Sequence, residues 1–250
     1  MAVTWHNHES CGFVVLNNPP VNAINHNMRE GLINAVKWAE REGLERVILS
    51  GEGRGFAAGA DTKEFDRPAV APHLPDVINH IEASTIPWIA AIHGAALGGG
   101  GELALGCRYR IARADATIGF PEVILGLVPG AGATQRLPRL IGLNESLKLI
   151  PTGKTISGRA AMAIGLVDAI DDDPINAAKL IDQKILSEVV PLNLTKAGAD
   201  RTVNYEAARQ IAIRRMRGQE APLTAISLLE MAQTATLTMA CKKNEPRFLP

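Results

Sequence analysis

The chain has 250 residues, and its 26 basic and 26 acidic side chains give a formal net charge of zero. A neutral chain with 4% aromatic residues lacks both the basic surface and the stacking side chains on which general nucleic-acid binding depends. The longest apolar stretch, residues 86–107, contains Glu102 and several glycines and does not predict a membrane span. We therefore expect neither a nucleic acid nor a membrane as partner.

The N-terminus and the cysteines indicate the compartment. No basic region followed by an apolar run opens the chain, so the sequence predicts a cytoplasmic location. Cys11, Cys107 and Cys241 are far apart and belong to no metal-binding spacing, which predicts free thiols and no zinc site.

In chain order, apolar strands alternate with helical patterns over the first 170 residues. Strands are predicted at residues 12–16, 46–50, 88–92 and 108–111. Helices are predicted from Asn25 to Gly43, up to Ser84 after a mobile loop at 66–76, and from a glycine turn at 98–101 to Gly106. This alternation predicts an α/β core.

Helical patterns dominate the C-terminal part. They cover residues 175–189, 205–217 and 222–240. We therefore expect two parts, a core over residues 1–190 that carries the functional site and a helical region over residues 191–250 for oligomerisation or docking.

Two glutamates are isolated in stretches that otherwise lack acidic and basic side chains. Glu102 is alone in the 22 positions from 86 to 107, and Glu122 is alone in the 20 positions from 116 to 135. At the average charge of this chain, these stretches would carry about nine charges. Burial raises the pKa of a lone carboxyl, and two nearby carboxyls move each other's pKa apart. The pair is therefore a candidate acid and base.

Two glycine-containing turns supply a second candidate feature. Those at residues 56–60 and 98–101 each follow a predicted strand, so both can present backbone N–H groups to one carbonyl oxygen. Structural explanations stay open at this point. Glycines also permit close packing, the helix dipole favours Glu102 in a first helical turn, and Glu122 after Pro121 can close a surface turn.

Three motifs in order resemble the crotonase, or enoyl-CoA hydratase/isomerase, family. They are F-A-A-G-A-D at 56–61, H-G-A-A-L-G-G-G-G-E-L-A at 93–104 and P-E-V-I-L-G-L-V-P-G-A-G at 121–132. Each is weak alone, but the three together are specific, and the likeness runs from residue 17 to about residue 168. Two departures are Ala133, where many relatives have glycine, and a C-terminal region more like that of bifunctional hydratase/3-hydroxyacyl-CoA dehydrogenases.

The resemblance implies a crotonase-like spiral of ββα units followed by helices, and a coenzyme A thioester as the substrate. It places an oxyanion hole on the backbone N–H groups of Ala60 and Gly99. The backbone around Ala58 would contact the adenine of coenzyme A. Gly130 would open the next helix and bring its dipole close to the thioester.

The two glutamates of the family's hydratases fall on Glu102 and Glu122. The implied activity is the addition of water across the C2–C3 double bond of a trans-2-enoyl-CoA, with Glu102 activating the water and Glu122 delivering a proton. No metal or redox cofactor is expected. The alternative is an isomerase that moves a double bond from C3 to C2, because such enzymes can work with a glutamate at the Glu122 position alone.

Expectations about assembly also rest on the resemblance. It implies a homo-oligomer, a trimer or hexamer, with a monomeric half of a bifunctional enzyme as the second possibility. A non-catalytic relative that binds coenzyme A or RNA is a further alternative. Its RNA-binding stripe would consist of Arg209, Arg214, Arg215 and Arg217. The neutral net charge and the intact glutamate pair argue against it.

Overall fold

A computed structural model of the protein describes residues 1–66, 68–198 and 202–234. These residues form nine strands and ten α-helices, which confirms the predicted α/β fold class. Within the same ranges, no helix is long and apolar enough to span a bilayer. Cys241 and the predicted helical residues 235–240 lie outside the described part of the chain.

Most strands belong to one six-stranded sheet. In the spatial order of the sheet, they are β1 (Val3–His8), β2 (Cys11–Leu16), β3 (Arg46–Gly51), β4 (Trp88–Ile92), β6 (Tyr109–Ala112) and β9 (Ala169–Ile170). The strands from β2 to β9 run parallel, and β1, which the sequence analysis missed, pairs antiparallel with β2. The C-terminal ends of the parallel strands therefore lie along one edge, where the loops after β3 and β4 meet.

A smaller sheet lies beyond that edge. It consists of β5 (Ala95–Leu97), β7 (Thr117–Gly119) and β8 (Thr155–Ser157). β7 is the central strand, parallel to β5 and antiparallel to β8. β5 follows shortly after β4 and leads directly into the glycine turn at 98–101.

The helices surround both sheets. They are α1 (His26–Glu42), α2 (Leu74–Ala83), α3 (Gly99–Gly106), α4 (Ala133–Ile141), α5 (Leu143–Leu149), α6 (Gly158–Ala163), α7 (Pro174–Leu180), α8 (Gln183–Glu188), α9 (Tyr205–Arg215) and α10 (Ala221–Met231). α1 has the predicted caps, since the Asn25 side chain accepts the Met28 N–H and Gly43 ends the helix in the left-handed conformation.

Three helix predictions need correction. The pattern at 175–189 forms two helices, because residues 181 and 182 are extended and the Asp182 side chain begins the second by accepting the Lys184 N–H. The loop predicted at 66–76 is shorter, because α2 already begins at Leu74. α10 ends at Met231.

The central strands β3 and β4 are buried on both faces, which explains their continuous apolar sequence. Val47 and Leu49 of β3 belong to the main core, whereas Ile48 between them packs in a smaller cluster with Ala178 of α7. Among the described cysteines, Cys11 is half-buried and Cys107 is buried, and both are free thiols as predicted. Burial raises the pKa of the Cys107 thiol to about 12.

The C-terminal helices share the main core with the α/β part. Ala225 and Leu229 of α10 are fully buried members of that core. The Gln135 side chain of α4 also donates a hydrogen bond to the Leu228 carbonyl at 2.9 Å. The packing thus ties α10 to α4, and the division of the chain at residue 190 stays a prediction.

Candidate active site

The two predicted glycine turns lie side by side. The Ala57 N–H donates to the Ala95 carbonyl at 2.9 Å, and the Leu97 N–H donates back to the Ala57 carbonyl at 2.9 Å. A Cβ added at Gly100 would lie 2.1 Å from the Ala57 carbonyl oxygen, so only glycine permits this approach. The absence of side chains in the turn is therefore what brings α3 against the loop after β3.

This approach places the Ala60 and Gly99 N–H groups next to each other. A Cβ added at Gly99 would lie 3.5 Å from the Ala60 nitrogen. Ile24 pairs with the residues on both sides of Ala60, which turns the Ala60 N–H away from Ile24. Gly99 is the first residue of α3, where an N–H has no acceptor within the helix. Among the described residues, neither N–H has a hydrogen-bond acceptor.

Glu102 lies one turn further along α3 and is buried, with 3% of its surface exposed. Its Oε1 accepts the Ala131 N–H at 2.8 Å and the Ala133 N–H at 2.9 Å. Burial raises the pKa of the Glu102 carboxyl, while the backbone N–H groups and the Arg136 guanidinium oppose that rise. The carboxyl is thus held by main-chain donors that favour its ionised form.

Glu122 lies in a short 3-10 helix, Pro121–Leu125, and faces the same glycine turn. A Cβ added at Gly98 would lie 3.0 Å from its Oε1. Its Oε2 is buried and has no hydrogen-bond partner in the described part of the chain. Burial, and secondarily the charge of Glu102, raise the pKa of Glu122 to about 8. Near neutral pH, Glu122 therefore holds its proton, whereas the two backbone donors make Glu102 the carboxyl whose ionised form is better stabilised.

The structure brings the candidate oxyanion donors and the two glutamates together around the turn before α3. For the two other predicted site residues it gives positions only. Ala58 is half-buried, and its N–H is occupied by the Val21 carbonyl at 3.0 Å. Gly130 does not open a helix as predicted, because α4 begins at Ala133 after the left-handed Gly132. Contacts of Ala58 and Gly130 with coenzyme A stay predictions.

The sequence analysis missed the residues that support Glu102. These are the backbone of Ala131 and Ala133 and the buried side chain of Arg136. A weak signal existed, because Arg136 directly follows the stretch in which Glu122 is the only charged residue. Nothing in the sequence indicates that the first amides of α4 bind a carboxyl on α3.

Two further predictions concern metal binding and the arginine stripe. Within the described ranges, no cluster of three or more His, Cys, Asp or Glu side chains could hold a metal ion. The arginine stripe lies on and just after α9, where Arg209 forms an ion pair with Glu230 of α10. That pairing gives at least one of the arginines a structural role.

Paired N–H groups beside two carboxyls are an arrangement suited to polarising a carbonyl group and moving protons next to it. The chain belongs to the enoyl-CoA hydratase/isomerase family, which it matches over residues 6–219. This confirms the family that the three motifs indicated.

Individual relatives support the same assignment. The chain is 37% identical to the peroxisomal bifunctional enzyme of Danio rerio, over 89% of this chain and 32% of that protein. It is 45% identical to a probable enoyl-CoA hydratase of Bacillus subtilis, over 62% of this chain and 63% of the relative. The solved enoyl-CoA hydratase of Thermoplasma volcanium is 32% identical, with a TM-score of 0.67 over 97% of both chains. The chain spans about a third of the length of the bifunctional relatives that it matches.

Proposed function

We propose that the protein is an enoyl-CoA hydratase that converts a trans-2-enoyl-CoA to the 3-hydroxyacyl-CoA. The observation that carries the proposal is the pair of buried carboxyls in unlike surroundings, beside two free N–H groups. Hydration needs a base for the water and an acid for C2, and Glu102 and Glu122 can supply one each.

The two N–H groups would act on the thioester carbonyl. Its oxygen accepts hydrogen bonds from Ala60 and Gly99, which polarises the conjugated double bond and stabilises the enolate that develops as C3 is attacked. Removing one donor of this kind costs about 2.7–4 kcal/mol of transition-state stabilisation in other enzymes.

The glutamates would then move the protons. Ionised Glu102 takes a proton from water as the water oxygen bonds to C3, and the electron pair of the C2–C3 π bond shifts towards the thioester. Protonated Glu122 gives its proton to C2. Return of the proton from Glu102 to Glu122, directly or through water, restores the starting state. Because only protons and water are exchanged, we propose that no metal or redox cofactor takes part.

A Δ3,Δ2-enoyl-CoA isomerase is the second candidate. Isomerisation moves one proton from C2 to C4, and a single carboxyl can carry it. Glu122 has the required free oxygen, since its Oε2 has no partner among the described residues.

We keep a homo-oligomer, a trimer or hexamer, as the proposed assembly and the cytoplasm as the proposed location, although several relatives are named as peroxisomal enzymes.

The test is the loss of the conjugated thioester absorbance of crotonyl-CoA in the wild type and in Glu102→Gln and Glu122→Gln. We expect wild-type hydration that each substitution lowers by about 100-fold or more, because each removes one proton-transfer group. Glu188→Gln, at an exposed position, is the matched control and should leave the rate unchanged. Turnover of 3-enoyl-CoA without hydration of any 2-enoyl-CoA would instead identify an isomerase.

A further inference from the structure

In the described part of the chain, the most deeply buried ion pair includes neither glutamate of the candidate site. Arg136 of α4 and Glu82 of α2 are 2.8 Å apart, and their side chains are 1% and 3% exposed. Two nitrogens of the guanidinium, Nε and Nη2, donate to the same Glu82 oxygen, and Nη2 also donates to the Asn79 side chain at 2.9 Å. The guanidinium is thereby fixed from one side by α2.

The third nitrogen of Arg136 reaches the loop that holds Glu102. Nη1 donates to the Ala131 carbonyl at 3.1 Å, while the N–H of the same residue donates to Glu102 at 2.8 Å. One chain of hydrogen bonds therefore connects Glu82, Arg136, Ala131 and Glu102. Ala133, the first residue of the helix that carries Arg136, supplies the second donor to Glu102.

We propose that the Arg136–Glu82 pair is a positioning unit for the hydration reaction, which holds the amides of residues 131 and 133 in place and so fixes the carboxylate of Glu102 towards the attacking water. This inference rests on the proposed function. Arg136 touches no reacting atom in this account. It acts through the loop before α4, and its charge independently favours the ionised form of Glu102.

The opposite end of Glu82 extends the unit into the C-terminal half of the chain. Its Oε1 accepts the Asn193 N–H at 2.9 Å, whereas its Oε2 accepts from Arg136. A carboxylate fixed on both oxygens cannot rotate without losing a hydrogen bond. The Glu82 carboxylate is therefore well suited to fix the position of the Arg136 guanidinium.

The test compares Arg136→Lys with Arg136→Met. Lysine keeps the charge but not the three-nitrogen fork, whereas methionine loses both and separates charge from geometry. For Arg136→Lys we expect kcat for crotonyl-CoA to fall about 10-fold or more with KM changed less than about threefold, because the affected group acts in the transition state. Arg136→Met should also move the acid limb of the kcat–pH profile to higher pH.

A control pair is available for effects of stability alone. Buried Arg110 and half-buried Asp168 also form an ion pair, at 2.9 Å, but Arg110 donates to Asp168 and Cys107 rather than to residues that hold Glu102. Arg110→Lys should lower the thermal unfolding midpoint while leaving kcat and the pH profile unchanged. Equal losses of kcat in Arg110→Lys and Arg136→Lys, or a wild-type kcat in a folded Arg136→Lys, would overturn the inference.

A second readout does not depend on turnover. The carboxyl ¹³C signal of Glu102, assigned by its loss in Glu102→Gln, can be followed against pH in the wild type and both Arg136 variants. The charged or titratable groups around this carboxyl are Glu122, Arg136 and, behind Arg136, Glu82. We expect the midpoint to rise in Arg136→Met. An unchanged titration rejects the positioning role even if the protein proves not to be a hydratase, and a shifted titration without turnover rejects only the hydratase.

Discussion

Glu102 and Glu122 have the same side chain and differ in what surrounds their oxygens. Glu102 receives two backbone N–H groups on one oxygen. Glu122 has a buried oxygen with no partner among the described residues, and the charge of Glu102 adds to the effect of burial on its pKa. Unequal surroundings are what allow two identical acids to hold different protonation states at one pH.

This difference predicts the direction of the pH dependence. If Glu122 is the proton donor, kcat/KM should fall as pH rises through about 8, where Glu122 loses its proton. The measurement is kcat/KM for crotonyl-CoA between about pH 6 and pH 10. An increase of kcat/KM across the same range would show that Glu122 acts as a base instead.

At this scale the sequence indicated the two candidate glutamates but not how their carboxyls are held. The isolation of Glu102 and Glu122 in uncharged stretches is visible in one dimension. The hydrogen bonds to Glu102 come from residues 29 and 31 positions away, and backbone donors have no residue type that could be recognised in a sequence. The hydrogen bonds that hold the Glu102 carboxyl therefore could not be predicted from the sequence.

The elements around the site depend on how closely their backbones approach. α3 begins in a turn of four consecutive glycines, and at each of them an added Cβ would lie within 3.0 Å of a neighbouring atom. Gly100 meets the Ala57 carbonyl, and Gly98 meets Glu122. The glycine turn therefore sets both the distance between the two turns and the space for Glu122.

Gly100→Ala tests this close approach. The added Cβ would lie 2.1 Å from the Ala57 carbonyl oxygen, so α3 must shift or the loop after β3 must yield. We expect a loss of about 3 kcal/mol or more in the free energy of unfolding, measured by urea denaturation. Gly130→Ala is the control, since its Cβ would meet nothing closer than the Val128 carbonyl at 4.0 Å. Equal stabilities of the two variants would contradict the packing argument.

Capped and periodic elements were predictable from sequence, and short or edge elements were not. α1 has the limits that Asn25 and Gly43 predicted, because caps act on neighbouring residues. β1 was missed, since its polar residues satisfy no alternating pattern and it forms only because β2 offers a pairing edge. The start of α4 was wrong by three residues, because glycines at 130 and 132 are both compatible with a helix start.

For the whole molecule, the main core runs through both the α/β part and the C-terminal helices. Leu192, Ala225 and Leu229 belong to the same buried cluster as Leu49 and Ile92 of the central strands. The sequence showed the change to helical patterns after residue 173, but which helix would pack on the core depends on contacts between distant segments. Shared burial of this kind favours cooperative unfolding.

Leu229→Ala tests the shared core. Leu229 is fully buried, so truncation should cost about 2–5 kcal/mol of unfolding free energy. The single thermal transition should move as a whole, when followed both by circular dichroism and by tryptophan fluorescence of the α/β part. Leu194→Ala is the control, because Leu194 is 73% exposed and its loss should change stability by less than about 0.5 kcal/mol. Two separate transitions would show that the helices unfold independently.

The pair of amides held by Glu102 has a consequence for exchange with deuterated water. A backbone N–H bonded to a buried carboxylate exchanges only when that bond opens, so Ala131 and Ala133 report on a side chain 29 or more positions away. Each time Glu102 takes a proton it becomes a weaker acceptor for both. The exchange rates of these two amides therefore depend on the fraction of molecules in which the Glu102 carboxyl is protonated.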